Sequence, residues 1–146
     1  MKYQIIVDNR ERRPLFTKNV SNETLKTGDY SFIFDGHNFK NEFAIEYKAP
    51  PDAVGTVLGG HVRFKKELLR ANELDYFAIV ISCLLTDLQS GNFKGSEHML
   101  ARSTRTAVKI FDTLQLKYEV PVFYVDGRVE AKHKIRSLIE DYIEEL

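Results

Sequence analysis

The sequence predicts an α/β fold, a mixed central sheet flanked by helices. Three observations predict it. Apolar runs at residues 3–7, 30–34, 39–48, 76–83 and 120–125 have strand length and are rich in β-branched and aromatic residues. Longer stretches with apolar residues at helical spacing fill the intervals after residue 52. The second half alternates strand with helix, which predicts parallel crossovers, whereas the first half reads as a hairpin, which predicts antiparallel pairing.

Taken in order, Tyr3-Gln4-Ile5-Ile6-Val7 reads as a buried strand ending in the charged segment Asp8-Asn9-Arg10-Glu11-Arg12-Arg13-Pro14. That segment admits two readings. It is a solvated loop closed by Pro14, or Asp8 and Glu11 face a metal while Arg10, Arg12 or Arg13 meets phosphate oxygens. Residues 22–29 read as a strand or extended arm that turns at Gly28. Tyr30–Phe34 is a strand, Asp35-Gly36-His37-Asn38 a turn, and residues 39–48 the returning strand. His37 lacks a second His or Cys at ligand spacing, so it is expected to be exposed and no zinc site is expected.

Pro50-Pro51 stops that strand, and Asp52 is placed to cap a short helix over residues 53–58. Gly59-Gly60 interrupts before a helix over residues 61–72 with Phe64, Leu68 and Leu69 as its buried stripe. Arg63, Lys65, Lys66 and Arg70 surround the stripe; they are a solvated face, or Arg63 and Lys66 meet the backbone of a bound strand. Residues 76–83 form the clearest buried strand, with Cys83 at its end. A short helix and loop follow to Gly95. A long helix over residues 96–118 is capped by Ser96 and buries Leu100, Ala107, Val108, Phe111 and Leu114. The last strand, 120–125, leads into a closing helix with Ile135, Leu138, Ile139 and Tyr142 on its apolar side.

With 146 residues, 43% hydrophobic and 29% charged, the chain is expected to be one globular domain over residues 1–146 with a substantial core. Lys+Arg and Asp+Glu both number 21, so the formal net charge is zero and composition does not announce nucleic acid. A local basic rim can still contact phosphates. One cysteine excludes an internal disulfide framework. Neither a secretory leader nor a long uncharged apolar segment is visible, so the cytoplasm is the expected compartment, with no membrane partner. That compartment admits a nucleoid-associated or virus-encoded intracellular protein.

The chemistry concentrates in two stretches. In the strand alternation Glu46 and Lys48 project from one face and Tyr47 from the other, with Asp29 close if the two runs pair. Two carboxylates and an ammonium suit a site that binds a divalent metal and a phosphate together. Phosphodiester cleavage needs a nucleophilic water, neutralised charge on the scissile phosphate and help for the leaving oxygen. Mg²⁺ or Mn²⁺ on Asp29 and Glu46 would supply much of this, with Lys48 orienting or deprotonating the water or stabilising developing charge.

An acid followed by acid-x-Lys on adjoining strands is the chemistry of the PD-(D/E)XK nucleases. The wider pattern, Val7-Asp8-Asn9-Arg10-Glu11, then Gly28-Asp29-Tyr30, then Glu46-Tyr47-Lys48-Ala49-Pro50-Pro51-Asp52, resembles the nuclease domain of the XPF family. That family's signature runs Val-Asp-x-Arg-Glu, Gly-Asp, Glu-Arg-Lys-x-x-x-Asp. The resemblance extends over most of the chain and looks like single-domain bacterial and phage members. It implies a restriction-endonuclease-like core and a metal-dependent DNA endonuclease acting at branched or junction structures, in DNA repair or recombination. By this resemblance Asp29 and Glu46 are metal ligands joined by Glu11, Lys48 is the catalytic lysine, and Asp8, Glu11 and Asp52 are supporting acids. Arg10 matches the arginine of the first block, and Arg10, Arg12, Arg63 and Lys66 are expected to contact DNA. Two departures stand out: Tyr47 replaces the middle arginine, and no helix-hairpin-helix module is present in the sequence. A homodimer through the nuclease domain and a replication or repair protein are further partners that the resemblance admits.

Two other readings use the same residues. In one the fold serves as a DNA-binding or partner-binding module without catalysis, supported by Tyr47 and the neutral net charge. In the other Asp29, Glu46 and Lys48 are a surface ion-pair network worth about 0 to 1 kcal/mol.

Overall fold

In a computed structural model describing residues 1–146, the hairpin and the later crossovers share one seven-stranded mixed sheet. Strand β1 (Tyr3–Asp8) pairs parallel with β2 (Val20–Glu23) and antiparallel with β3 (Tyr30–Phe34). The two-residue β4 (His37–Asn38) extends β3, and β5 (Phe43–Lys48) lies antiparallel to β3 with Tyr30 opposite Ile45. Beyond it β6 (Tyr76–Ile81) and β7 (Val122–Tyr124) continue in parallel, giving the order β2-β1-β3-β5-β6-β7. Five helices cover the sheet: α1 (Pro50–Leu58), α2 (His61–Ala71), α3 (Leu85–Ser90), α4 (Ala101–Tyr118) and α5 (Gly127–Glu144). None of them is long and apolar enough to cross a membrane.

Period-two alternation in β5 and β6 splits the core in two. Ala44, Ile79 and Ile81 meet Val54, Phe64 and Phe111 from α1, α2 and α4 on one face. Ile45, Ala78 and Val80 meet Ile135 and Ile139 from α5 on the other. The second face is aromatic: Phe32 stacks on Phe39 with ring centres 4.6 Å apart and meets Phe43 edge-on at 5.1 Å. Truncating such a fully buried ring costs about 3 to 5 kcal/mol, which ties the hairpin firmly to α5. Cys83 is buried just past β6, as its apolar setting predicts, and burial raises its thiol to about 11.

Several expectations need correction. The returning strand does not run from residue 39 to 48. Asn38 Oδ1 accepts from the Lys40 amide and the Phe39 carbonyl accepts from Glu42 and Phe43, so residues 39–42 form a turn and β5 starts at Phe43. Asp52 does not cap α1, because Ala49 occupies the cap and Pro50 and Pro51 begin the helix, leaving Asp52 in its first turn. In α2 the buried stripe is Phe64, Leu68 and Ala71, while Leu69 is 58% exposed. The helix predicted from residue 96 is broken: Ser96–His98 make a single 3-10 turn, and Leu100 is extended and exposed instead of buried. Tyr142 is only partly buried.

Candidate active site

Asp29 reaches its position through Gly28. That residue has φ +82°, a left-handed conformation that glycine adopts without cost. A Cβ there would come within 2.9 Å of Ala44 Cβ and 3.1 Å of the Ile45 carbonyl oxygen. The glycine thus allows the backbone to press against β5, where the Asp29 amide donates to the Ile45 carbonyl at 2.8 Å. In return the Tyr47 amide donates to Asp29 Oδ2, also at 2.8 Å. One carboxylate oxygen is therefore held by the strand that carries Glu46 and Lys48.

On β5 the alternation works as the sequence predicts. Glu46 and Lys48 share a face, and Lys48 Nζ lies 2.8 Å from Glu46 Oε2. The Tyr47 side chain is turned to the opposite face, with its hydroxyl 2.7 Å from Ser82 Oγ and the Arg128 guanidinium 5.9 Å from its ring centre. A cleft of about 500 Å³ opens over the end of β5, walled by the start of α1 and by α2. Asp29, Glu46, Lys48, Glu11, Asp52 and Arg63 all border it. Six residues singled out in the sequence thus converge from four separate segments. Glu11 is steadied by Tyr30, whose hydroxyl donates to Glu11 Oε2 at 3.3 Å and accepts from the Leu15 amide at 2.8 Å.

The first block divides. Asp8 is buried away from the cleft, and its carboxylate accepts from the Leu25 amide at 2.8 Å and from Arg10 Nε at 2.9 Å. Arg10 in turn donates to the Leu25 carbonyl at 2.6 Å. Of the two readings of this segment, the one in which Asp8 faces a metal does not fit this geometry: the carboxylate is spent on holding the chain at Leu25, a supporting role. Arg12 is exposed and does not border the cleft. Lys66 lies in the adjoining depression, which it shares with Arg63.

One residue went unread in the sequence. Glu67 lines the cleft from α2, half-buried between Phe64 and Leu68. Its signal was a carboxylate three residues after Phe64, inside the apolar stripe and not on the solvated side.

Crowding these acids has an electrostatic consequence. Burial, reinforced by the charges of Glu46 and Glu11, raises the Asp29 carboxyl well above the ordinary carboxylate range. Burial also raises Glu11, with Glu46 and Asp8 adding to it against hydrogen bonds with Asp29 and Tyr30. Glu67 is pushed up to about 8 by burial and by Glu46. For Lys48 burial acts against the ammonium, yet the neighbouring Glu46 carboxylate prevails and the pKa is raised. The Lys48 ammonium, committed to Glu46, therefore stands among acids that share too little positive charge.

The geometry can be set beside known structures. No family model matches the sequence, and no curated protein matches it. Among solved structures, XPF from Aeropyrum pernix aligns over 96% of this chain with a TM-score of 0.68 at 19% identity. The chain has the fold of XPF. A second XPF structure from Aeropyrum pernix, in complex with DNA, aligns over 99% of the chain with the same TM-score at 20% identity. The chain spans 65% and 66% of the length of those two XPF chains. The XPF fold is restriction-endonuclease-like, as expected from the three sequence blocks, and its central mixed sheet between helices is the one described above.

Proposed function

We propose that the chain is a divalent-metal-dependent endonuclease that hydrolyses phosphodiester bonds of DNA in the cleft over β5. The observation that carries this reading is the convergence of Asp29, Glu46 and Lys48 on one cleft beside two further carboxyls, Glu11 and Glu67, whose proton affinity is raised. Like charges confined in this way favour a bound cation. No three carboxylate, imidazole or thiolate groups gather closely enough to encage an ion. Mg²⁺ does not need such a cage, since it is held by one or two carboxylates and keeps several waters. The donor set therefore fits Mg²⁺ or Mn²⁺, on Asp29 and Glu46, with Glu11 beside them. When bound, such an ion supplies Lewis acidity toward phosphoryl oxygen and water.

The chain's own groups do the rest. Tyr47 N–H fixes the orientation of Asp29, and Tyr30 fixes Glu11. The Lys48 ammonium, anchored by Glu46, donates to the phosphate or to the attacking water and stabilises charge that develops there. Arg63 on the cleft wall and Lys66 beside it contact the flanking phosphates. DNA is the substrate assigned, in keeping with the DNA complex of the XPF structure from Aeropyrum pernix. We assign residues 1–146 to a single nuclease domain.

The test is incubation with plasmid, flap, fork and single-stranded DNA in Mg²⁺, Mn²⁺ or EDTA. Cleavage that requires metal and is lost in both Asp29→Ala and Lys48→Ala is expected, with branched substrates cut in preference to plain duplex. No cleavage of any substrate, with DNA binding retained, would overturn the enzyme reading.

A further inference from the structure

Away from the catalytic cleft, α2 and α4 are joined at depth by Phe64 and Phe111, whose ring centres lie 6.3 Å apart. Beside that pair the end of α1, α2 and α4 border a groove of about 470 Å³. Its floor is aliphatic: Val57 and Leu58 from the end of α1, Ile110 and Leu114 from α4. Its rim is basic, with His61 and Lys65 on α2 facing Lys109 and Lys117 on α4. All four rim residues are exposed, none is paired with a carboxylate, and no acidic residue lines the groove. Helical rise makes the stretch of α4 from Thr106 to Lys117 about 16 Å long, three turns of a helix laid alongside.

An aliphatic floor between two basic rims is complementary to a helix that carries an aliphatic ridge flanked by carboxylates. Single-stranded nucleic acid is matched less well, because the lining offers one stacking ring, His61 at the rim, over a floor that is aliphatic. Duplex backbone would engage the lysines but make no use of the floor. We propose that this groove docks an acidic amphipathic helix of a partner protein. The inference is independent of the nuclease reading, since none of the groove residues borders the catalytic cleft.

The probe is a fluorescein-labelled 16-residue peptide with leucine at i, i+3, i+4 and i+7 spacing and glutamate flanking the ridge. Its counterparts are the same peptide with lysine for glutamate and a 20-nucleotide single-stranded DNA. Each is titrated into the full chain and into a Lys109→Glu, Lys117→Glu double variant, whose folding is checked by thermal melting. The exposed positions of both lysines make that variant safe for the fold. The acidic peptide is expected to bind in the micromolar range and to lose at least tenfold in the double variant, while the lysine peptide fails to bind and DNA affinity is unchanged. Amide shifts from the bound peptide are expected to map to α2 and α4. An acidic peptide that does not bind, or that binds the double variant equally, overturns the proposal. So does DNA affinity that falls in the variant, which assigns the groove to nucleic acid, or a self-association that the variant abolishes, which assigns it to a second copy.

Discussion

The Tyr47 amide donates to Asp29 Oδ2 at 2.8 Å, which couples the acid at the head of β3 to the strand that carries Glu46 and Lys48. Removing the carboxylate charge and removing the acceptor are consequently different experiments. Asp29→Asn keeps an oxygen for the Tyr47 amide and relieves repulsion from Glu46 and Glu11, so melting temperature should hold or rise. Asp29→Ala leaves that amide without its partner, at a cost of about 1 to 3 kcal/mol. Cleavage should fall about a thousandfold in both, equivalent to about 4 kcal/mol of transition-state stabilisation. A cleavage rate in Asp29→Asn within tenfold of the parent would remove Asp29 from the catalytic set.

Tyr47 stands where the family pattern has arginine, and its ring lies on the far side of β5 from the cleft. Tyr47→Phe removes only the hydrogen bond with Ser82 Oγ. The expected cost is about 0.5 to 1.5 kcal/mol of stability, read by denaturant unfolding, with the cleavage rate unchanged. A large loss of cleavage with the melt intact would mean that the Tyr47 side chain, not just its backbone, serves the site.

Asp8 and Asp29 are both acids of the sequence pattern, but only Asp29 borders the cleft. Asp8→Ala would strand the Leu25 amide and free Arg10, which is largely exposed and can rehydrate. The expected loss is about 1 to 3 kcal/mol, or roughly 3 to 10 °C in melting temperature. Cleavage per folded molecule should drop less than tenfold. Thermal melts read beside cleavage rates at a temperature well below both transitions separate this supporting role from a catalytic one.

These contrasts mark how far the residues could be read before the fold was seen. Glu46 and Lys48 were legible because side-chain alternation in a strand depends on nothing outside the strand. Asp29 was legible because Gly28 announces a turn and the following apolar run a hairpin. Asp8 was not separable from Glu11, since the partner that claims it is an amide 17 residues away. Leu69 and Leu100 look apolar enough to be buried, but α2 turns Phe64, Leu68 and Ala71 inward and α4 starts only after Leu100. Glu67 went unread because a charge within an apolar stripe has meaning only once the opposing wall of the cleft is known.

That residue carries the clearest pH dependence. The Glu67 carboxyl holds its proton up to about pH 8 in the folded chain, against an ordinary value of 4.5. Between those two values the folded state binds more protons than the unfolded state, so stability falls as pH rises from about 4.5 to about 8. The raised Asp29 and Glu11 carboxyls act in the same direction. In EDTA the melting temperature should therefore be lower at pH 8.5 than at pH 5.5. Glu67→Gln should raise the melting temperature by several degrees at the higher pH and almost nothing at pH 4.5. Mg²⁺ binds the deprotonated acids, so its stabilising effect should grow over the same interval and be accompanied by proton release. Melting curves in EDTA and in Mg²⁺ at several pH values check all three outcomes. A metal-free melting temperature that rises steadily from pH 5.5 to 8.5 would show that the acids are not crowded in the folded chain, and with it the case for a cation in the cleft would fail.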